Sequence, residues 1–230
     1  MVKHFVNFWE DIENHKEAKQ RAKQVLGYTQ KYKPNSKKIL ELGVGIGNVL
    51  ENFPKKFELS GLDYDKEYVN ICKKKLSGNF YVSSMHNFNI NEKFDVIFSV
   101  HDSINFLKSF TQWKQTFLRV KKHLNQDGLF ILDMYTPKIL EIYKNHKAGL
   151  SEFSKGFISD RAIIKGNKLT WDFKIFEKQK QNTYLLHKYL MTETIYSIEK
   201  VRNELKKSFN IIEEIMFDNN KKILFVCQTN

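Results

Sequence analysis

Three glycines, Gly43, Gly45 and Gly47, fall within five positions of "ILELGVGIGN", directly after an apolar run. Glycine reaches positive φ at little steric cost and lets a ligand approach the backbone, and free amides at a helix start favour negative charge. Twenty residues beyond Gly43, Asp63 closes a second apolar stretch in "GLDYD". A carboxylate so placed can accept hydrogen bonds from both hydroxyls of a ribose. The dinucleotide fingerprint would need a third glycine where Asn48 stands, and the phosphate-binding P-loop would need Gly-Lys-Ser/Thr; neither is present. The pattern points to a ribose-bearing ligand whose phosphates are not the main handle. A tight turn holding no ligand is the simpler alternative, and so many glycines in one loop disfavour it. Asp65 is better suited to capping the next helix.

These residues need elements to hold them. Residues 8–32 carry apolar side chains at helical spacing (Ile12, Ala18, Ala22, Val25, Leu26), with a break expected at Gly27. "KKILEL" reads as a strand, 48–53 as a helix ended by Pro54, "FELSGLD" as a second strand and 66–76 as a helix. "GNFYVSS" and the continuous apolar "KFDVIFSV" follow as strands, then the helix "FTQWKQTFLRVKKHL", then "GLFILDMY" after an Asp127-Gly128 turn. Strands alternating with helices imply a parallel, doubly wound sheet with its ligand crevice beyond the carboxyl ends of the strands. From 157 to 196 no helical period intervenes, so consecutive antiparallel strands are expected, turning at Lys165-Gly166-Asn167 and at 179–182. Ser197 can cap a last helix with Glu199 in its first turn, and two strands then meet at Asp218-Asn219-Asn220.

Composition narrows the class. The chain has 230 residues, 41 % of them hydrophobic, enough for one full core. No apolar run reaches the roughly 18 residues of a membrane span, and charge interrupts the first residues, against a signal or transit peptide. Two cysteines, Cys72 and Cys227, make no disulfide framework, agree with a cytoplasmic location and offer no zinc spacing, so no metal is expected. The net charge of +12 suggests an acidic partner, but only four of the 38 basic residues are arginine. The lysines are scattered among 20 asparagines, as an A·T-rich coding bias would produce. Nucleic acid is therefore a secondary candidate.

"ILELGVGIGN", "GLDYD", "SSMHNF", "KFDVIFSVHDSINFL" and "LNQDGLFILDMY" together resemble, in order and spacing, the class I S-adenosylmethionine-dependent methyltransferases over about residues 37–135. In pattern the chain is most like small-molecule N-methyltransferases of the amino-sugar and glycine type. The resemblance implies an α/β fold: a doubly wound, seven-stranded, mostly parallel sheet with a reversed last strand, plus an antiparallel β insertion after the fifth strand. One domain would span 1–230, with an N-terminal helical lid at about 1–34 and an acceptor-pocket insertion at about 151–196. S-adenosyl-L-methionine would be the cofactor and S-adenosyl-L-homocysteine its product. Gly43, Val44 and Gly45 would face the methionine moiety with Glu41 beneath, Asp63 would take the ribose, and Tyr64 would lie along the adenine. Ser84 and Met85 would flank that ring, and Val100 would close the pocket. Ser84 stands where similar members carry Asp, and Gln126-Asp127-Gly128 stands for a Pro-Gly-Gly turn.

The acceptor is less legible. The fourth strand lacks the Asn/Asp-Pro-Pro-aromatic text of many base and glutamine methyltransferases, and "DSINFL" is similar to small-molecule enzymes. An amine acceptor must lose a proton, which makes His101 and Asp102 base candidates, although packing and helix capping are simpler roles for them. Tyr135, Trp171 and Tyr196 are candidates to line the acceptor site, with core packing the alternative, and Phe8 and Trp9 could lid the cofactor. An RNA or protein methyltransferase, a non-catalytic cofactor-binding module and a nicotinamide dehydrogenase remain as alternatives. Oligomeric state is open, a dimer included.

Overall fold

The computed structural model describes residues 15–146 and 148–229. Helix α1 (His15–Tyr32) leads into β1 (Lys38–Leu42), β2 (Glu58–Asp63), α2 (Lys66–Lys75), β3 (Asn79–Val82), β4 (Phe94–Ser99), α3 (Phe110–His123) and β5 (Leu124–Tyr135). A short helix, α4 (Lys138–Tyr143), precedes an antiparallel unit of β6 (Gly149–Phe153), β7 (Gly156–Lys165), β8 (Lys168–Lys178) and β9 (Tyr184–Thr194). Helix α5 (Ile198–Leu205) and the hairpin β10 (Asn210–Phe217) and β11 (Lys222–Gln228) follow. The main sheet has the order β10-β11-β5-β4-β1-β2-β3, parallel from β3 to β5, with β11 reversed against both β5 and β10. This is the class I methyltransferase fold expected from the sequence, with the antiparallel sheet β6-β7-β8-β9 beside it.

Successive side chains of a strand point to opposite faces, and here both faces are apolar. Leu129 and Ile131 join Ala18, Ala22 and Val25 of α1, whereas Phe130 and Leu132 join Trp113 and Phe117 of α3 and Leu205 of α5. The sheet is thereby clamped between helices, and only the carboxyl ends of its parallel strands are left to build a site. The antiparallel sheet is fixed there by a small core of its own, in which Leu169 and Trp171 meet Ile139 of α4 and Tyr135 at the tip of β5.

Several expectations needed correction. The segment 8–14, with Phe8 and Trp9 at its threshold, lies outside the described residues. Helix α1 runs through Gly27 unbroken, because that glycine stands in open space and the penalty for glycine in a helix, about 1 kcal/mol, is outweighed by the buried face. The helix expected after β1 is only a 3-10 turn at Leu50–Asn52. Three glycines at positive φ run up to Gly47 immediately before it and Pro54 blocks its continuation, leaving too few residues for an α-helix. Asp127-Gly128 does not precede β5 but sits inside it as a bulge: Phe94 pairs with Leu124 and Val96 already with Leu129, while Asp127 takes φ +53°. Helix α4 joins β5 to β6, whose residues Gly149–Phe153 span position 151.

Candidate active site

The glycine loop and Asp63 are joined through the backbone. Gly43, Gly45 and Gly47 take φ of +74°, +53° and +84°, a region where a side chain is strained. Gly43 and Val44 donate their amides to the Leu62 carbonyl at 2.8 and 3.0 Å, which draws the loop over the end of β2. There the Gly45 amide donates to one oxygen of Asp63 at 3.1 Å, and the Asp65 amide to the other at 2.9 Å. Burial pushes the Asp63 carboxyl above its ordinary pKa, and these two amides oppose the shift by stabilising the anion. Asp65 accepts from the Glu67 amide and caps α2, as its position suggests.

The three glycines serve different purposes. A Cβ on Gly43 would lie 2.8 Å from Cβ of Ser103, and one on Gly47 would lie 2.7 Å from Leu76, so both permit close packing. A Cβ on Gly45 would meet nothing within 4 Å. Space therefore opens above Gly45, beside the Asp63 carboxylate. Val44, Met85 and Val100 are buried around this turn, and the Met85 methyl reaches towards Gly43. Glu41 is buried in β1 below it, while Tyr64 is 63 % exposed at the rim. Ser84 shares a hydrogen bond of 2.6 Å with Nδ1 of His86, so its hydroxyl already has one partner.

A second group gathers at the carboxyl ends of β4 and β5. His101 and Asp102 both take left-handed backbone conformations, φ +55° and +52°, and their amides donate to the two oxygens of Asp133 at 3.1 and 2.6 Å. Asp133 is fully buried in β5, with Nε of Arg21 from α1 at 3.9 Å. Asp102 does not cap the following turn with its side chain; its carboxylate is paired instead with Nζ of Lys222, the first residue of β11. The Lys222 ammonium stays charged despite burial because Asp102 and Asp133 face it, and it lies 4.7 Å from the Tyr135 ring centre. His101 is held below its ordinary pKa by burial, and its Nε2 has no hydrogen-bond partner among the described residues.

The antiparallel sheet closes over this group. Glu193 of β9 is 4 % exposed and faces Asp102 and the Trp171 indole. Asn105 ties the two sheets together: its carbonyl accepts the Tyr135 amide at 3.0 Å and its amide nitrogen donates to the Thr194 carbonyl at 3.0 Å. Beside Trp171 stand Tyr143 and Phe173, with ring centres 4.7 and 6.0 Å away. Tyr135 and Trp171 pack in one cluster, whereas Tyr196 does not join them. It packs on the α3 side, its ring 4.8 Å from Phe110 and 5.3 Å from Trp113, because the chain has left β9 and turned towards α5.

Arg21, Asp133, Glu193 and Lys222 escaped the sequence reading. Asp133 did carry a signal, a lone charge in the otherwise apolar "LFILDMY". Glu193 and Lys222 carried none, since both stand in mixed text where charge is ordinary. Among the described residues no cluster of metal-ligating side chains occurs, and no helix is long and apolar enough to cross a membrane.

Residues 39–128 match the family described as "Methyltransferase domain". The crystal structure of an S-adenosylmethionine-dependent methyltransferase from Clostridium acetobutylicum ATCC 824 superposes with a TM-score of 0.85 at 19 % identity, covering 99 % of this chain and 98 % of that one. An S-adenosylmethionine-bound amino pentose methyltransferase from Micromonospora echinaspora superposes with a TM-score of 0.79 at 15 % identity, covering 100 % and 98 %. In sequence, the dTDP-3-amino-3,4,6-trideoxy-α-D-glucopyranose N,N-dimethyltransferase of Streptomyces venezuelae is 24 % identical over 102 residues, 44 % of this chain and 43 % of that protein.

Proposed function

We propose that the methyltransferase domain carried by residues 39–128 takes its methyl group from S-adenosyl-L-methionine and delivers it to the amine nitrogen of a small molecule, an amino sugar being the favoured class. The residues fit the cofactor: the space above Gly45 has no side chain to fill it, and the Asp63 carboxylate borders it. When bound, S-adenosylmethionine supplies an electrophilic methyl group on a sulfonium.

The chain's own residues do the rest. Asp63, pinned by two amides, presents its remaining lone pairs to the ribose hydroxyls. Gly43, Val44 and Gly45 receive the methionine moiety, with Glu41 below them. Met85 and Val100 give the pocket apolar walls, Ser84 borders the adenine, and exposed Tyr64 lies along it. Alignment and exclusion of water are what the protein must contribute to an in-line transfer. The antiparallel sheet provides both, because Asn105 locks it over the ends of β4 and β5.

The observation that carries the acceptor class is the group of buried carboxylates, Asp102, Asp133 and Glu193, beneath an aromatic wall that includes Trp171. Carboxylates attract an ammonium and accept from hydroxyls, and aromatic rings pack on a sugar face or a cation. His101, held neutral, and Asp102, fixed by Lys222, orient the acceptor there.

The test is methyl transfer from labelled S-adenosylmethionine to a panel: dTDP-3-amino-3,4,6-trideoxy-α-D-glucopyranose, free amino sugars, glycine and bulk RNA. Label entering an amine and none entering RNA supports the assignment. Label entering RNA alone, with activity falling steeply as salt rises, replaces it by the nucleic-acid alternative.

A further inference from the structure

We propose that Glu193 is the base that removes the proton from the acceptor amine, an inference that rests on the amine-methylating role above. Its geometry is that of a group waiting for a partner. The side chain projects from β9 on the face that carries Leu169 and Trp171, and the strand register sets Glu193 opposite Leu169, diagonal to Trp171. One oxygen, Oε2, is buried with no hydrogen-bond partner among the described residues. Leaving a carboxylate oxygen so placed is costly unless a ligand completes it.

The surrounding charges explain why Glu193 is free to accept a proton. Asp102 faces it from the loop after β4, Lys222 from β11, Tyr135 from β5 and Trp171 from β8. Behind them, Asp133 and Arg21 form a further opposed pair, while His101 stays neutral. Lys222 faces both Asp102 and Asp133, and Arg21 is shared between Asp133 and Glu17, so an ionised Glu193 adds a negative charge that these two cations do not offset. Burial and the Asp102 carboxylate accordingly push its pKa up to about 8. An entering ammonium opposes that charge, so the cation that must be deprotonated is also what favours the carboxylate form.

The step closes in atoms and charge. The ammonium passes one proton to the Glu193 carboxylate and becomes a neutral amine. The nitrogen lone pair then forms the N–C bond as the C–S bond breaks, its electron pair remaining on sulfur. The methylated nitrogen leaves as an ammonium with one hydrogen replaced by methyl. Neither His101, with its proton affinity lowered, nor Asp102, neutralised by Lys222, is as well matched to this proton.

The test uses the full chain, S-adenosylmethionine and dTDP-3-amino-3,4,6-trideoxy-α-D-glucopyranose, with the other amines of the panel in parallel. Glu193→Gln should lower kcat by about 100-fold or more and remove the rising limb of kcat centred near pH 8. Cofactor affinity by calorimetry should stay within about twofold, and Glu193→Asp should restore part of the rate and of the limb. Without any acceptor, Trp171 fluorescence should titrate near pH 8 in the otherwise unaltered protein and not in Glu193→Gln. Wild-type turnover with the same kcat and pH profile in Glu193→Gln overturns the role of Glu193 alone. Transfer to no amine by the wild type overturns the parent assignment and this one together. Should Glu193→Gln fold poorly, a flat Trp171 titration in the wild type is sufficient to refute the proposal.

Discussion

The two halves of the candidate site are built in opposite ways. On the cofactor side a turn and one carboxylate meet through backbone amides, all within residues 41–65, and the glycines act by what they lack. On the acceptor side Arg21, Asp102, Asp133, Glu193 and Lys222 come from α1, a loop, β5, β9 and β11, and they act by charge. A site made of main chain tolerates little variation in shape, whereas one made of side chains depends on every charge having its counterpart. Different failures should follow from disturbing each.

Removing a charge should do the greatest damage to the fold. Lys222→Met leaves Asp102 and Asp133 buried without their ammonium, and unfolding by denaturant should show a loss of about 3–5 kcal/mol. A loss below about 1 kcal/mol would mean that the acceptor side is wetter than its burial implies. On the cofactor side, Gly45→Val should spare stability more than binding. The branched side chain projects into the open space and strains the φ of +53°, so calorimetry should find S-adenosylmethionine binding weakened by about 3 kcal/mol or more.

Asp63→Ala should weaken that binding by about 1–3 kcal/mol, the cost of hydroxyls left without an acceptor. Binding unchanged within error would detach Asp63 from the cofactor. The last effect is one of pH. In the unfolded chain Glu193 ionises at the ordinary carboxylate value, and in the folded chain near pH 8. Between these the folded state binds more protons, so wild-type stability should fall relative to Glu193→Gln as pH rises through that window. Parallel melting curves for the two proteins from pH 5 to pH 8 would contradict it.

Legibility followed the same division. Gly43, Gly45 and Asp63 were readable because strand, turn and strand lie close along the chain and leave their spacing in it. Asp65 and Ser197 were readable as caps for the same reason, and both accept from amides two or three residues on. For Asp102 the sequence left both a base and a cap open, because its partner, Lys222, is 120 residues away. For Tyr196 the sequence left acceptor lining and core packing open, because an aromatic residue at the end of a strand gives no sign of which side the next helix will take it; it packs on Phe110 and Trp113. The bulge at Asp127 looked like a turn, since a residue at positive φ serves both.

By itself, the sequence determined the alternation of strands and helices, the closing hairpin and the glycine turn set against Asp63, because periodicity and backbone freedom are local properties. Tertiary structure alone decided which buried acids share a lysine, which carboxyl is left with an unsatisfied oxygen, and which aromatic residues gather around Trp171. Those outcomes depend on the pairing of β11 with β5 and on the seating of the antiparallel sheet over β4 and β5. No residue's neighbours along the chain encode the charge it will meet across such a distance.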